Sequence, residues 1–264
     1  MKMKITSILF LLAGLLFSSS CLIMDLPWYS EGGYQGEFEK VVSLEPGGTV
    51  VLDNPAGDVE IRGWDRNEVE ISARQEGGST IRWGLFSGST IRTQPRVSVE
   101  TANNTVTIKS LTSKNRDIQP IIHYEISVPE SVKLKDIRIG KGSLTVGDVY
   151  GEMAVSIDDG DLTVENYSGS LDAQLGRGSV EAEVLDLRNE DRVKVTVREG
   201  DINLSLEKLV GAKLDATTEA GEIASDFDLK AALPLRKAAA QIGSGQTLIT
   251  LKTLKGNIRL KKIA

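Results

Sequence analysis

The chain has 264 residues, 40% of them hydrophobic and 26% charged, which is enough apolar content for a packed core and too much for a disordered chain. A net charge of −6 argues against nucleic-acid binding through a basic patch. A single cysteine and a single histidine exclude an internal disulfide framework, a multi-cysteine or multi-histidine metal site and a His-based triad within one chain.

Residues 1–20 read as an export signal. Lys2 and Lys4 give a basic start, Ile5 to Phe17 an apolar run, and Ser18 to Ser20 a small-residue cleavage region. The apolar run is too short to cross a bilayer of about 30 Å as a helix. Cys21 follows directly and is the expected lipidation site. The arrangement resembles a bacterial lipoprotein signal, with Ser18 where leucine is usual. Residues 21–36 lack periodicity, carry Pro27, Gly32, Gly33 and Gly36, and are expected to be a tether.

A β-rich region is expected over 37–128. Phe38, Val41 and Val42 lead into the turn Glu45-Pro46-Gly47-Gly48, and Val50 and Leu52 follow. Val59 and Ile61 lie two and four places after Gly57, then Val69, Ile71 and Ala73 alternate. The segment 77–94 contains GSTIR twice and is expected to be a hairpin or surface loop carrying Trp83 and Phe86 at one end of the core. Val97 and Val99, Val106 and Ile108, and Ile122 to Val128 supply further strands.

From 129 to 264 one unit repeats. Its turn glycines are Gly142, Gly160, Gly178, Gly200, Gly221 and Gly256, at intervals of 18, 18, 22, 21 and 35. The positions five and three before each glycine, and two and four after it, are Ala, Val, Ile or Leu in 21 of 24 cases; the exceptions are Thr218, Ser225 and Thr253. This parity of two implies strands with one buried face. A unit of about 20 residues cannot bury that face alone, so copies must stack. The fold class expected is all-β, a right-handed β-solenoid-like stack of short strands with G-[DSE]-[LIV] turns after a β-rich N-terminal region. Each copy is expected to lie beside the previous one. Residues 226–240 interrupt the pattern and are expected to form an irregular flap, because Pro234 breaks a helix. The last strand, with Lys261 and Lys262, is expected at a water-exposed edge.

Four stretches carry a family resemblance: GDVEIRGWDRNEVEISA at 57–73, YEISVPESVKL at 124–134, the serial G-[DSE]-[LIV] bends, and IGSGQTLITLKTLKGNIRL at 242–260. Over roughly 37–264 the chain resembles the bacterial putative-adhesin family of exported β-repeat proteins, related to the head domains of auto-transporter adhesins. The resemblance implies an all-β, solenoid-like fold at the cell envelope and no catalytic residues.

The chemistry-bearing residues fall in turns. Asp158, Asp159 and Asp161, Glu199 and Asp201, and Glu219 and Glu222 could line up as an acidic ladder on stacking, serving solubility first and calcium or glycosidase chemistry otherwise. His123 is expected to be structural. Lys133, Lys135, Arg138 and Lys141 read as a solvated strand face. Gly140 to Ser143 does not fit the phosphate-binding loop, which needs a helix after it. No catalytic residue, metal ligand or cofactor is expected. The function expected is a non-enzymatic envelope lipoprotein, adhesin-like or a scaffold, held to the membrane through Cys21 on the periplasmic or surface face and binding an envelope protein or glycan through its β surface. A polysaccharide-active enzyme using the acidic turns, and an envelope signalling accessory, are the alternatives.

Overall fold

A computed structural model describes residues 37–263 apart from 77, 84–85, 93–94, 112–119, 189, 208–210, 228–235 and 244. The signal, Cys21 and the tether lie outside the described residues. Every regular element among them is a strand. The chain opens with β1 (Glu37–Ser43), β2 (Thr49–Ala56), β3 (Val59–Trp64) and β4 (Glu68–Glu76). A hairpin of β5 (Gly78–Trp83) and β6 (Phe86–Arg92) follows, then β7 (Val97–Ala102), β8 (Thr105–Ser110) and β9 (Ile121–Pro129). The repeats contribute β10 (Lys133–Lys141) and β11 (Leu144–Gly147), β12 (Met153–Asp159) and β13 (Leu162–Ser168), and β14 (Leu171–Arg177) and β15 (Val180–Asp186). They continue with β16 (Arg192–Glu199) and β17 (Ile202–Glu207), then β18 (Ala212–Ala220) and β19 (Ile223–Ser225). β20 (Lys237–Ile242), β21 (Thr247–Lys255) and β22 (Ile258–Ile263) end the chain.

The two strands of each repeat go to opposite sheets of ten strands. One sheet has the order β1-β4-β9-β3-β11-β13-β15-β17-β22-β19 and the other β20-β18-β21-β16-β14-β12-β10-β2-β8-β7. The solenoid-like stack expected from the repeat is therefore present. Strands from 37–128 and from 129–264 share both sheets, because β2 pairs with β10 and β3 with β11 in parallel. The early copy at Gly57 is a full rung. Within 77–94, β5 and β6 pair antiparallel as a hairpin does, and the side chains of Trp83 and Phe86 lie outside the description.

Register turns the sequence template into rows. Val59, Leu144, Leu162, Val180, Ile202, Ile258 and Ile223 are successive partners in one sheet, and all are buried. Each such aliphatic side chain contributes about 1.5–3 kcal/mol by leaving water. Of the 24 template positions only Ser225 is not buried. Thr218 and Thr253 are buried too, and their hydroxyls donate to the carbonyls of Gly256 (2.8 Å) and Gly200 (3.0 Å).

Three expectations are corrected. The copy at Gly256 does not follow the copy at Gly221 along the stack. β21 lies between β16 and β18, and β22 between β17 and β19. The last strand is therefore internal rather than an edge. The segment expected as an irregular flap contains β20, a regular strand antiparallel to β18. These corrections have one cause. β20 occupies the outer edge of β18, so the returning chain can pair only with its inner edge.

Candidate functional site

At the main corner of the stack the turn glycines form a column: Gly57, Gly142, Gly160, Gly178, Gly200, Gly256, Gly221. All have φ between +118° and +156°. From Gly142 onward, a Cβ on any of them would sit 2.0–2.2 Å from the carbonyl oxygen of the glycine one rung earlier. Only glycine permits both this backbone and this approach.

The residue after each glycine forms a second column. Asp58 Oδ1 accepts the N–H of Ser143 (2.8 Å), and Ser143 Oγ that of Asp161 (3.3 Å). Asp161 Oδ1 accepts from Ser179 (2.7 Å), Ser179 Oγ from Asp201 (3.3 Å), Asp201 Oδ1 from Asn257 (2.7 Å) and Asn257 Oδ1 from Glu222 (3.0 Å). His123 heads the column, its Nδ1 accepting the N–H of Asp58 (3.1 Å). These turn side chains thus pair backbone donors that the parallel ladder leaves over. His123 has the structural role expected of it.

The residue before each glycine forms a third column. Lys141, Asp159, Arg177, Glu199 and Lys255 are successive strand partners, so charges alternate along the corner. Arg177 pairs with Asp159 (2.8 Å) and Lys255 with Glu199 (2.9 Å). Hydrogen bonding to Lys255 holds the Glu199 carboxyl below the usual range. The acidic ladder is thereby corrected in part: stacking pairs Asp159 and Glu199 with cations and spends Asp161 and Asp201 on N–H groups. Among the described residues no three acidic, histidine or cysteine side chains converge as metal ligands. In the basic stretch, Lys135 pairs with Glu152 and Arg138 with Asp136.

A buried polar network ties down the N-terminal rung. Tyr124 Oη–H donates to Ser110 Oγ (2.7 Å), which donates to Asn54 Oδ1 (2.8 Å), and Asn54 Nδ2 donates to the carbonyls of Gly57 and Ile122. Burial pushes the Tyr124 phenol up to about 12. Every group is satisfied, so the network specifies packing rather than offering a reactive site.

The opposite corner is different. An open groove of about 490 Å³ runs past Lys133, Tyr150, Gly151, Glu152, Gly169 and Asp191. It meets a second depression, lined by Asp191, Arg192 and Leu248, at their shared Asp191. Tyr167 lies buried beneath, its hydroxyl 2.6 Å from the carbonyls of Gly151 and Ser170. Burial, then the charges of Asp191 and Glu152, push the Tyr167 phenol well above its ordinary value. Asp191 Oδ1 accepts from Ser170 Oγ (3.1 Å) and its Oδ2 from the Arg188 N–H (2.7 Å). Hydrogen bonds from Tyr167 and to Asp191 thus tie the floor to the adjoining rungs. Among the described residues, Lys133, Arg188 and Arg192 form no ion pair. The sequence reading missed this site because its lining combines strand ends such as Lys133, Ser168 and Asp186 with the connectors carrying Tyr150, Arg188 and Asp191, which share no template.

No curated protein matches the chain. Among solved structures it is similar to a "putative cell adhesion protein" from Clostridium sporogenes, with 14% identity over 86% of this chain and 100% of that one and a TM-score of 0.46. It is also similar to a "putative adhesin" from Bacteroides fragilis, with 12% identity over 88% and 100% and a TM-score of 0.33. A "putative lipid binding protein" from Parabacteroides distasonis matches with 11% identity over 88% and 98% and a TM-score of 0.26. The family expected from the serial bends is the family found: the Toastrack DUF4097 model matches residues 48–261, and the chain belongs to that family.

Proposed function

We propose that the protein is a non-enzymatic, adhesin-like or scaffold lipoprotein of the cell envelope, anchored through Cys21, that binds an envelope protein or glycan through its β surface. The observation that carries this reading is the commitment of the corner carboxylates. Asp161 and Asp201 accept backbone N–H groups, and Asp159 and Glu199 pair with Arg177 and Lys255. A glycosidase needs a free pair of carboxylates facing a cleft, whereas here Asp159, Asp161, Glu199 and Asp201 hold the scaffold. Proteins of similar structure are called a "putative adhesin" and a "putative lipid binding protein", which accords with an envelope role. Mass spectrometry of the native N-terminus is expected to find lipid on Cys21. Crosslinking on intact cells is expected to join the chain to an envelope protein or glycan. An unmodified Cys21, together with a chain that crosslinks to nothing, overturns the reading.

A further inference from the structure

We propose that the rung formed by β21 and β22 is exchangeable, and that the slot it fills accepts the same rung, residues 247–263, from a second copy of this chain. The inference goes beyond the envelope reading and does not depend on it. The rung enters between two rungs that precede it in the chain, with β21 between β16 and β18 and β22 between β17 and β19. Among the described strands, its only covalent link is the connector 243–246 from β20. That connector is short for its path. Ile242 of β20 and Thr247 of β21 are both register partners of Ala212, one on each side of β18. The connector therefore carries the chain across β18, over two strand spacings or about 9.6 Å. Gly243 and Gly245 take positive φ (+54° and +68°) to do so. The N–H groups of Gln246 (3.1 Å) and Thr247 (3.0 Å) both donate to the carbonyl of Gly211, at the start of β18. A short, tightly turned hinge invites exchange, because the loop extends when the rung leaves for another copy.

The slot recognises the rung through groups that a second copy supplies equally. Ile249, Leu251, Ile258 and Leu260 are buried between the flanking rungs. On one side the Thr253 hydroxyl donates to the Gly200 carbonyl (3.0 Å), Asp201 accepts the Asn257 N–H (2.7 Å) and Lys255 pairs with Glu199 (2.9 Å). On the other, Asn257 accepts the Glu222 N–H (3.0 Å) and the Gly256 carbonyl accepts the Thr218 hydroxyl (2.8 Å). None of these contacts involves residues 243–246, so all of them re-form when the rung comes from another molecule. Both edges of the slot then regain their backbone partners, which a ligand other than a strand pair of this register leaves unpaired. Two copies that each give one rung and take one close into a dimer.

The test uses the purified full chain with Cys21→Ser, which removes its only native thiol. Thr196 and Lys252 are register partners on β16 and β21. Thr196→Cys with Lys252→Cys in one chain is expected to close an internal disulfide at low concentration. The two substitutions in separate chains, mixed at high concentration, are expected to give a disulfide-linked heterodimer. Its yield is expected to exceed at least tenfold that of Glu181→Cys mixed with Lys252→Cys, where Glu181 lies on the opposite sheet. Deleting Gly243 to Gly245 leaves too little chain to cross β18 and is expected to convert the protein to a dimer by light scattering. A mixed yield no higher than the control, while the internal disulfide still closes, would show that the rung stays in its own chain and overturn the proposal. So would a folded, monomeric deletion variant.

Discussion

Asp201 accepts the backbone N–H of Asn257 at 2.7 Å, across 56 residues of sequence. Asn257 in turn accepts the N–H of Glu222 (3.0 Å), a residue that precedes it in the chain. These two bonds place the C-terminal rung between two earlier ones. Among the described residues, that rung is the only link between the β16–β17 rung and the β18–β20 unit through either sheet.

Truncation after Gln246 should therefore do more than remove one rung. With β21 and β22 absent, β18 and β19 lose their inner partners. Residues 212–225 and 237–242 are expected to lose amide protection together, while the rungs at Gly142 to Gly178 keep theirs. Hydrogen exchange read by mass spectrometry checks this. Retained protection at 212–220 would show that the unit stands without the inserted rung.

Two glycine substitutions should separate backbone from side-chain crowding. Gly160→Ala puts a Cβ 2.0 Å from the Gly142 carbonyl oxygen at φ +151° and is expected to cost at least about 3 kcal/mol. Gly147→Ala meets the Arg62 side chain, nearest at Nη1 (2.2 Å), where Arg62 lies across the position to pair with Glu165 (2.8 Å) and Glu60 (3.0 Å). That side chain can swing away, and each of its exposed ion pairs is worth less than about 1 kcal/mol. Urea unfolding at neutral pH gives both values, and similar losses would refute the distinction.

The turn column should show graded dependence on its acceptors. Asp161→Ala leaves the Ser179 N–H without its 2.7 Å charged acceptor and is expected to cost about 1–2 kcal/mol. Ser179→Ala removes a longer 3.3 Å contact to the Asp201 N–H and is expected to cost less than about 1 kcal/mol. Thermal midpoints of the two variants would rank them, and a reversed order would show that the hydrogen-bond lengths do not govern the column.

Stability should fall at alkaline pH. Burial raises the Tyr124 phenol in the folded chain to about 12 and raises that of Tyr167 as well. A raised folded value leaves the stabilisation complete below the ordinary phenol value of about 10 and removes it as pH climbs toward the folded value. For Tyr124 alone the loss approaches about 3 kcal/mol. Denaturant melts between pH 9 and 11.5 are expected to show the decline, and Tyr124→Phe to flatten it.

The residue pattern alone determined what each rung is. Leu144, Leu162 and Ile202 fall two places after a glycine, and a strand slipped by one residue would expose them, so one register survives. The bends at Gly142, Gly160 and Gly178 were legible for the same reason. The order of the last rung was not. Every copy shares one template, so any copy fits beside any other, and β20 on the outer edge of β18 made the choice. The roles of Asp161 and Asp159 were equally hidden, since their partners Ser179 and Arg177 become neighbours only on stacking. Tyr150 and Arg188 line one depression from connectors of unlike sequence. Periodicity describes a strand and its buried face, whereas a surface groove depends on which separate segments the stack brings side by side.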